Sequence, residues 1–378
     1  MPIRKDINIV KMHPIKMTRT FHPVGQGAFY TEVFDCPGGD QKVIVYDCGT
    51  ETGKLAFKKA GGTNLNDQIK DFANKEVAGN KHIDYLFISH FHDDHINGLS
   101  DLTQKLKPNC IVIPMLPMDM ILTTRICNFI AYGQNALLSD ELIQDLFLGN
   151  NPQRDVIAVR PDVGDRDNTP LYPQGNHHVE ESIELLDNKG AFWRYRLFNS
   201  VNLNDVRAKN FINDVRNIPG LLNGDVLDVQ QVLNHIDDLK DLYKKAMNEA
   251  NDNLYTLVVE SEPLRVTTTE DKSLAGCVYF GDFVPSKNVW GRFLQVINDY
   301  ENVVGAIQVP HHGAEANWRS EMLTRGIENH SHFVFSSGSK NKYHHPYYWI
   351  IDEVQRSKKL AHVVSEYPAS EFSLTYFI

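Results

Sequence analysis

The segment Phe87-Ile88-Ser89-His90-Phe91-His92-Asp93-Asp94-His95 constrains this chain more than any other. Three imidazoles and two carboxylates fall within six residues, directly after an apolar run. Imidazole nitrogen and carboxylate oxygen are the ligands that borderline divalent metals such as Zn²⁺ take. His90 and His92 are two apart, so on an extended segment leaving a strand they point the same way. Asp94 and His95 follow where a helix starts, a position that suits a carboxylate. The two pairs are spaced to serve two ions side by side.

Short, nearly continuous apolar runs at 43–46, 85–88, 111–113, 257–259, 277–280, 306–309 and 333–335 read as strands buried on both faces. Helices are predicted over 64–72, 99–106 and 318–326. Strands and helices mix without strict alternation, which points to a layered α/β fold. Residues 140–147 and 226–250 carry apolar residues at helical spacing. Residues 162–176 are rich in Pro, Gly, Asp and Asn and read as loop. The expectation is one domain over 1–378 with a mainly helical insertion at 117–250, because runs carrying candidate ligands flank that stretch on both sides.

The 42% hydrophobic content is that of a globular protein and excludes wholesale disorder. The net charge of −10 excludes a binder that grips nucleic acid through bulk positive charge. It leaves open an enzyme that cuts phosphodiesters with metal ions. Arg194, Arg196, Arg207, Lys209 and Arg216 form either a local basic strip or a solvated face. The cysteines, Cys36, Cys48, Cys110, Cys127 and Cys277, are odd in number and lack metal-type spacing, so free thiols in a reducing, cytoplasmic setting are expected. The first residues lack the apolar core of a secretory signal. No apolar run reaches the ~18 residues of a membrane span, so no membrane partner is expected.

Further motifs follow in order, each after an apolar run: Asp47 in Val45-Tyr46-Asp47-Cys48-Gly49, Asp282 in Phe280-Gly281-Asp282, and Val309-Pro310-His311-His312-Gly313. Together with the H-x-H-x-D-H segment they resemble the metallo-β-lactamase superfamily. The resemblance implies a four-layer αββα sandwich of α/β class and two divalent ions, Zn or Mn. One ion would be held by His90, His92 and Asp282, the other by Asp94, His95, Asp282 and His311. Asp47 would orient a ligand from behind, and Asp93 is a second candidate for that role. The reaction implied is hydrolysis by a water activated between the ions. His312 or His345 would meet the developing charge or protonate the leaving oxygen.

Finer features are Val24-Gly25-Gln26-Gly27, Asn253, and Ser337-Gly338-Ser339-Lys340-Asn341-Lys342-Tyr343-His344-His345-Pro346. This series is similar to the hydrolase domain of ComEC-type competence proteins and their stand-alone relatives, where the last segment reads roughly S-x-G-x-x-N-x-Y-x-H-P. Asn341 and Tyr343 thereby become candidates for supporting the site or touching substrate. Two departures stand out. Ala28 follows the Gly-Gln-Gly, where that branch usually has Asp. The superfamily's middle histidine has no counterpart, since His177, His178 and His235 do not follow strands. One ion would then be short of a protein ligand, and either be weakly held or have Mn²⁺ in place of Zn²⁺. The function implied is a metal-dependent phosphodiesterase or nuclease, with single-stranded DNA among its substrates. The alternatives are a hydrolase of small esters, lactones or thioesters, and a metal-containing binding or sensor module. Structural zinc sites are usually closed and Cys-rich, which speaks against the last. Protein partners and oligomeric state are not legible.

Overall fold

The computed structural model describes residues 14–52, 61–77, 81–148, 155–161, 170–173, 181–201, 206–247, 254–264, 275–297, 304–324 and 331–378. The strands of its two large sheets are β1 (Lys16–Phe21), β2 (Phe29–Asp35), β3 (Gln41–Cys48), β4 (His82–Phe87), β5 (Lys107–Pro114), β6 (Asp155–Val159), β7 (Ser182–Asp187), β8 (Gly190–Asn199), β9 (Leu257–Pro263), β10 (Gly276–Tyr279), β11 (Val304–Gln308), β12 (His332–Ser336), β13 (Leu360–Val364) and β14 (Phe372–Phe377). The first sheet runs β14-β1-β2-β3-β4-β5-β6 and the second β13-β12-β11-β10-β9-β8-β7. In the first, β3 to β6 are parallel. In the second, β10 to β13 are parallel.

Alternation along each strand builds the layers. On β3, Val43 and Val45 join an outer core with Leu65, Ile69, Leu99 and Leu102 of the helices α1 (Leu65–Asp71) and α3 (Leu99–Lys105). Ile44 and Tyr46 point the other way, into a core between the sheets with Trp193, Tyr195, Val259 and Tyr279. Beyond the second sheet, Val258, Val278 and Ile307 pack on Trp290 and Phe293 of a further helix (Lys287–Val296) and on Ile350 and Val354. The order is helices, sheet, sheet, helices, the four-layer α/β sandwich expected. Asn64 caps α1 by accepting from the Asp67 N–H at 2.9 Å.

All seven predicted strands are present. Of those the sequence left unmarked, β1, β2, β7 and β8 carry charge within them. Glu32 sits mid-strand on β2, buried and ion-paired with Arg19 of β1 at 2.7 Å. Its carboxylate also accepts from Tyr195, Ser261 and Tyr279 of the opposite sheet at 2.7–2.9 Å. The stretch 117–250, expected to be mainly helical, supplies helices α4 (Met118–Tyr132), α5 (Leu137–Phe147), α6 (Arg207–Val215), α7 (Val229–Asn234) and α8 (Ile236–Met247). It also supplies β6, β7 and β8, which close one edge of each sheet. Of the five residues of the candidate basic strip, Arg194 and Arg196 lie on β8 and pair with Glu262 of β9, at 2.9 Å for Arg196, and Arg216 pairs with Asp225 at 3.0 Å. Only Glu321–Thr324 of the predicted helix 318–326 is helical among the described residues. The five cysteines are free thiols, four of them buried. Among the described residues, no helix is long and apolar enough to cross a membrane. Asn253, His177 and His178 lie outside the described residues.

Candidate metal centre

The site forms where strands of both sheets end. Asp47, at the end of β3, adopts φ 56 and is fully buried. Its carboxylate accepts from the Ser89 N–H at 2.7 Å and the Ser89 hydroxyl at 2.6 Å, just beyond β4. The chain then runs extended through His90 and His92 and turns into the short helix α2 (Asp93–Ile96), which carries Asp94 and His95. From the second sheet, Gly281 after β10 takes φ 55. A Cβ there would lie 2.6–2.7 Å from Thr256 and Ser89, so only glycine lets Asp282 approach. After β11, His311 and His312 both adopt left-handed φ, 47 and 59, which turns the two rings to different sides.

Two groups of side chains converge. The ligand atoms of His90, His92 and Asp282 lie within 4.8 Å of one another, as do those of Asp94, His95 and His312. Asp282 reaches both: Oδ2 is 3.3 Å from His90 Nε2 and Oδ1 is 3.4 Å from His95 Nε2.

The hydrogen bonds behind the rings fix their tautomers. The Ser89 hydroxyl donates to Asp47, so it accepts from His90 Nδ1–H at 2.9 Å. His95 Nδ1–H donates to Asp47 at 2.8 Å. His312 Nδ1–H donates to the Ser336 carbonyl at 2.6 Å. Asn317 gives its amide to the carbonyls of Asp282 and Phe283, so its oxygen accepts from His311 Nδ1–H at 3.0 Å. Every one of these rings turns Nε2 inward. Buried His90 Nε2, His95 Nε2 and Asp282 Oδ1 have no hydrogen-bond partner. Buried ring nitrogens and carboxylate oxygens that face one another without a hydrogen-bond partner fit a cation in that space, and the N,O donor set suits a borderline divalent one.

The electrostatics agree. Burial holds His90 neutral, its pKa pushed down to about 3. Burial opposes charge on Asp94 and Asp282 too, but the surrounding imidazoles hold both carboxyls below the usual range. Burial also disfavours a charged His95, yet Asp282, Asp94 and Asp47 outweigh it and raise that pKa well above the usual value. Without a metal, a proton on His95 partly answers the excess of carboxylates.

Residues 34–134, which include Asp47 and the whole H-x-H-x-D-H segment, match the family model described as the metallo-beta-lactamase superfamily. That match covers about a quarter of the chain and shows a likeness over this segment. No curated protein matches it. Among solved structures, a long-form RNase Z from yeast is similar over 78% of this chain, at 9% identity and a TM-score of 0.32. The chain spans about a third of that enzyme, 32% of its length. Metallo-beta-lactamase SMB-1 is similar over 80% of this chain and 83% of its own, at 10% identity and a TM-score of 0.27. MEM-A1, a subclass B3 metallo-beta-lactamase from a soil metagenome library, covers 82% and 84% at 11% identity and a TM-score of 0.27. Likenesses this distant do not bear on activity.

Within the centre, the two histidines after β11 divide differently from the expectation. His312, not His311, faces Asp94, at 3.4 Å. His311 Nε2 instead lies 3.7 Å from Asp282 Oδ2, beside the His345 ring at 5.5 Å. His345 Nδ1 is buried without a partner, and burial, with His311 and His312 nearby, pushes its pKa down to about 4. Asn341 is a loop brace: its amide donates to the carbonyls of Gly338 and His345 at 2.8 and 2.6 Å. Tyr343 is exposed and donates to Glu51 at 3.2 Å. Asp93 accepts from Ser139 of α5 at 2.5 Å and from Asn97 at 3.0 Å. His235 pairs with Asp238 on the surface, away from the centre.

Sequence reasoning missed Gln308 and Asn317, and named Gln26 only as part of a motif without a role. Gln26 accepts from Ser337 and Gly338, tying the first glycine motif to the last one. Gln308 accepts from the backbone N–H groups of Phe280 and Gly281, both at 2.7 Å. Asn317, only six residues past His311, was within reach of inspection. Gln26 and Gln308 act across contacts that no local signal announces.

Proposed function

We propose that this chain is a metal-dependent hydrolase that holds two divalent ions, Zn²⁺ or Mn²⁺, and cleaves phosphodiesters. The observation that carries this reading is the inward turn of four imidazole Nε2 atoms onto Asp282 and Asp94, each ring anchored from behind through Nδ1. When bound, two such ions supply an activated water and a Lewis acid at the attacked centre. In this proposal His90, His92 and Asp282 hold one ion, Asp94, His95 and His312 the other, and Asp282 is shared. His311 and His345 then face the substrate. His345, kept neutral by burial, donates or accepts a hydrogen bond without carrying charge. Asp47 sets the orientation of His95 and, through Ser89, of His90.

The preference for phosphodiesters rests on the ComEC-like 337–346 segment and on a neighbouring cleft. That cleft, of about 230 Å³, is lined by Gln26, Glu51, Thr52, Gly338, Lys340, Asn341 and Lys342. Two lysines there suit an anionic substrate, whether a nucleotide or a single strand of DNA. One observation favours a second reading, a small ester, lactone or thioester: Lys342 is already paired with Glu51 at 2.9 Å, which offsets part of that charge.

The test is metal content alongside a substrate panel: bis-p-nitrophenyl phosphate, single-stranded DNA, a cyclic dinucleotide and a lactone, each with Zn²⁺ and with Mn²⁺. His92→Ala and Asp94→Ala are expected to lose bound metal and turnover together. Full turnover in either variant overturns the reading. Turnover of the lactone alone selects the second reading, and bound metal with no turnover selects a binding module.

A further inference from the structure

One stripe of α4 runs alongside the 90–95 segment. Thr124, Asn128 and Tyr132 are spaced four apart and so share a helix face. Thr124 bonds the Tyr255 hydroxyl at 3.2 Å, and both line a small pocket with His90 and His92. One turn on, Asn128 donates to the Phe91 carbonyl at 2.8 Å. Tyr132 follows, and Ser139 just beyond it holds Asp93. The stripe therefore keeps Tyr132 on the face of α4 that runs along the 90–95 segment. Its phenol lies in the field of Asp94, Glu51, Asp93 and Tyr343, which adds to burial in raising its pKa above the usual value. The ring is half-buried and packs on the outer core. Among the described residues, no hydrogen bond is made by its hydroxyl.

A neutral donor in that position has a chemical use. Asp94 and Glu51 both act on this phenol, and Glu51 lines the neighbouring cleft, where its charge repels an anionic substrate. A phenol O–H offers a hydrogen bond to such a substrate without adding charge, and at neutral pH it stays protonated. Resting on the phosphodiester reading above, we infer that Tyr132 is a substrate-contacting residue whose hydroxyl donates to a charged phosphate oxygen at the Asp94 side of the centre.

Tyr132→Phe keeps the packing and removes only the donor. The full chain, wild type and variant, is loaded with Mn²⁺ and compared in bound metal per chain, in kcat/KM for bis-p-nitrophenyl phosphate, and in affinity for inorganic phosphate by calorimetry. Metal content is expected to be unchanged. kcat/KM is expected to fall on the order of 100-fold, as for loss of one donor to a developing charge. Phosphate is expected to bind roughly 10-fold more weakly, as for loss of a hydrogen bond to a charged group. Changes under twofold in both readouts overturn the inference, and so does loss of metal, which would make Tyr132 a structural support. If the wild type cleaves no phosphodiester, the functional reading fails, and the phosphate arm alone decides whether Tyr132 contacts the anion.

Discussion

His95 is held at both ends by carboxylates: Nδ1–H donates to Asp47 at 2.8 Å, and Nε2 faces Asp282 at 3.4 Å. Asp47 also receives the Ser89 hydroxyl that braces His90. One carboxylate thus orients a ligand of each group. Asp47→Asn is expected to weaken metal binding about 10–100-fold while the fold persists, as measured by competition with a chromogenic chelator. Unchanged affinity would show that the rings are held without it.

Metal uptake is expected to release protons. The metal-free centre keeps a proton on His95 to a pH well above the usual histidine value. A divalent ion has to displace it, so apparent affinity falls as pH drops and the proton competes harder. Calorimetry of Zn²⁺ binding at pH 7 in two buffers of different ionisation enthalpy checks this. Equal heats in both buffers would contradict it.

Gly49 faces the backbone of α2 so closely that a Cβ would lie 2.5 Å from the carbonyl carbon and oxygen of Asp94 and 2.6 Å from the carbonyl carbon of His95. Backbone cannot yield as a flexible side chain can. Gly49→Ala is expected to cost about 1–3 kcal/mol by overpacking and to displace both ligands, with bound metal lost. Urea denaturation and metal analysis read the two effects separately.

Burial pushes the pKa of His22 down to about 3; it stacks on Phe29 with ring centroids 4.3 Å apart. The unfolded chain takes up this proton near pH 6.5. Between those values the unfolded state binds more protons, so stability falls as pH drops from about 6.5 toward 3. The contribution is fully present above that window. His22→Gln is expected to flatten this limb, seen as a smaller drop in urea midpoint between pH 7 and pH 5. An identical drop in wild type and variant would remove His22 from the account.

Much of this arrangement was legible in the chain. Strands such as 43–46 and 277–280 are continuous apolar runs because both faces are covered, and the ligand motifs follow directly from their ends. β2 and β8 were not legible, because Glu32, Arg194 and Arg196 break the apolar pattern and are paid for by partners on other strands. The exchange of His311 and His312 was hidden for a different reason. It depends on two successive left-handed residues, and histidine gives little sign of adopting them. Tyr132 was hidden as well, since only the course of α4 across the 90–95 segment brings it near Asp94.

The last strand returns to the first sheet. β14 pairs antiparallel with β1 from Lys16↔Phe377 to Phe21↔Phe372, and the backbones of Ile15 and Ile378 exchange two bonds of 2.9 Å. During synthesis, then, the first sheet stays open at that edge until the second has been made. At about 5–20 residues per second, roughly 10–40 s separate the emergence of His95 from that of His312. For that interval the nascent chain presents His90, His92, Asp94 and His95 without Asp282 or His312. The two groups of candidate ligands are therefore complete only once His312 has been made.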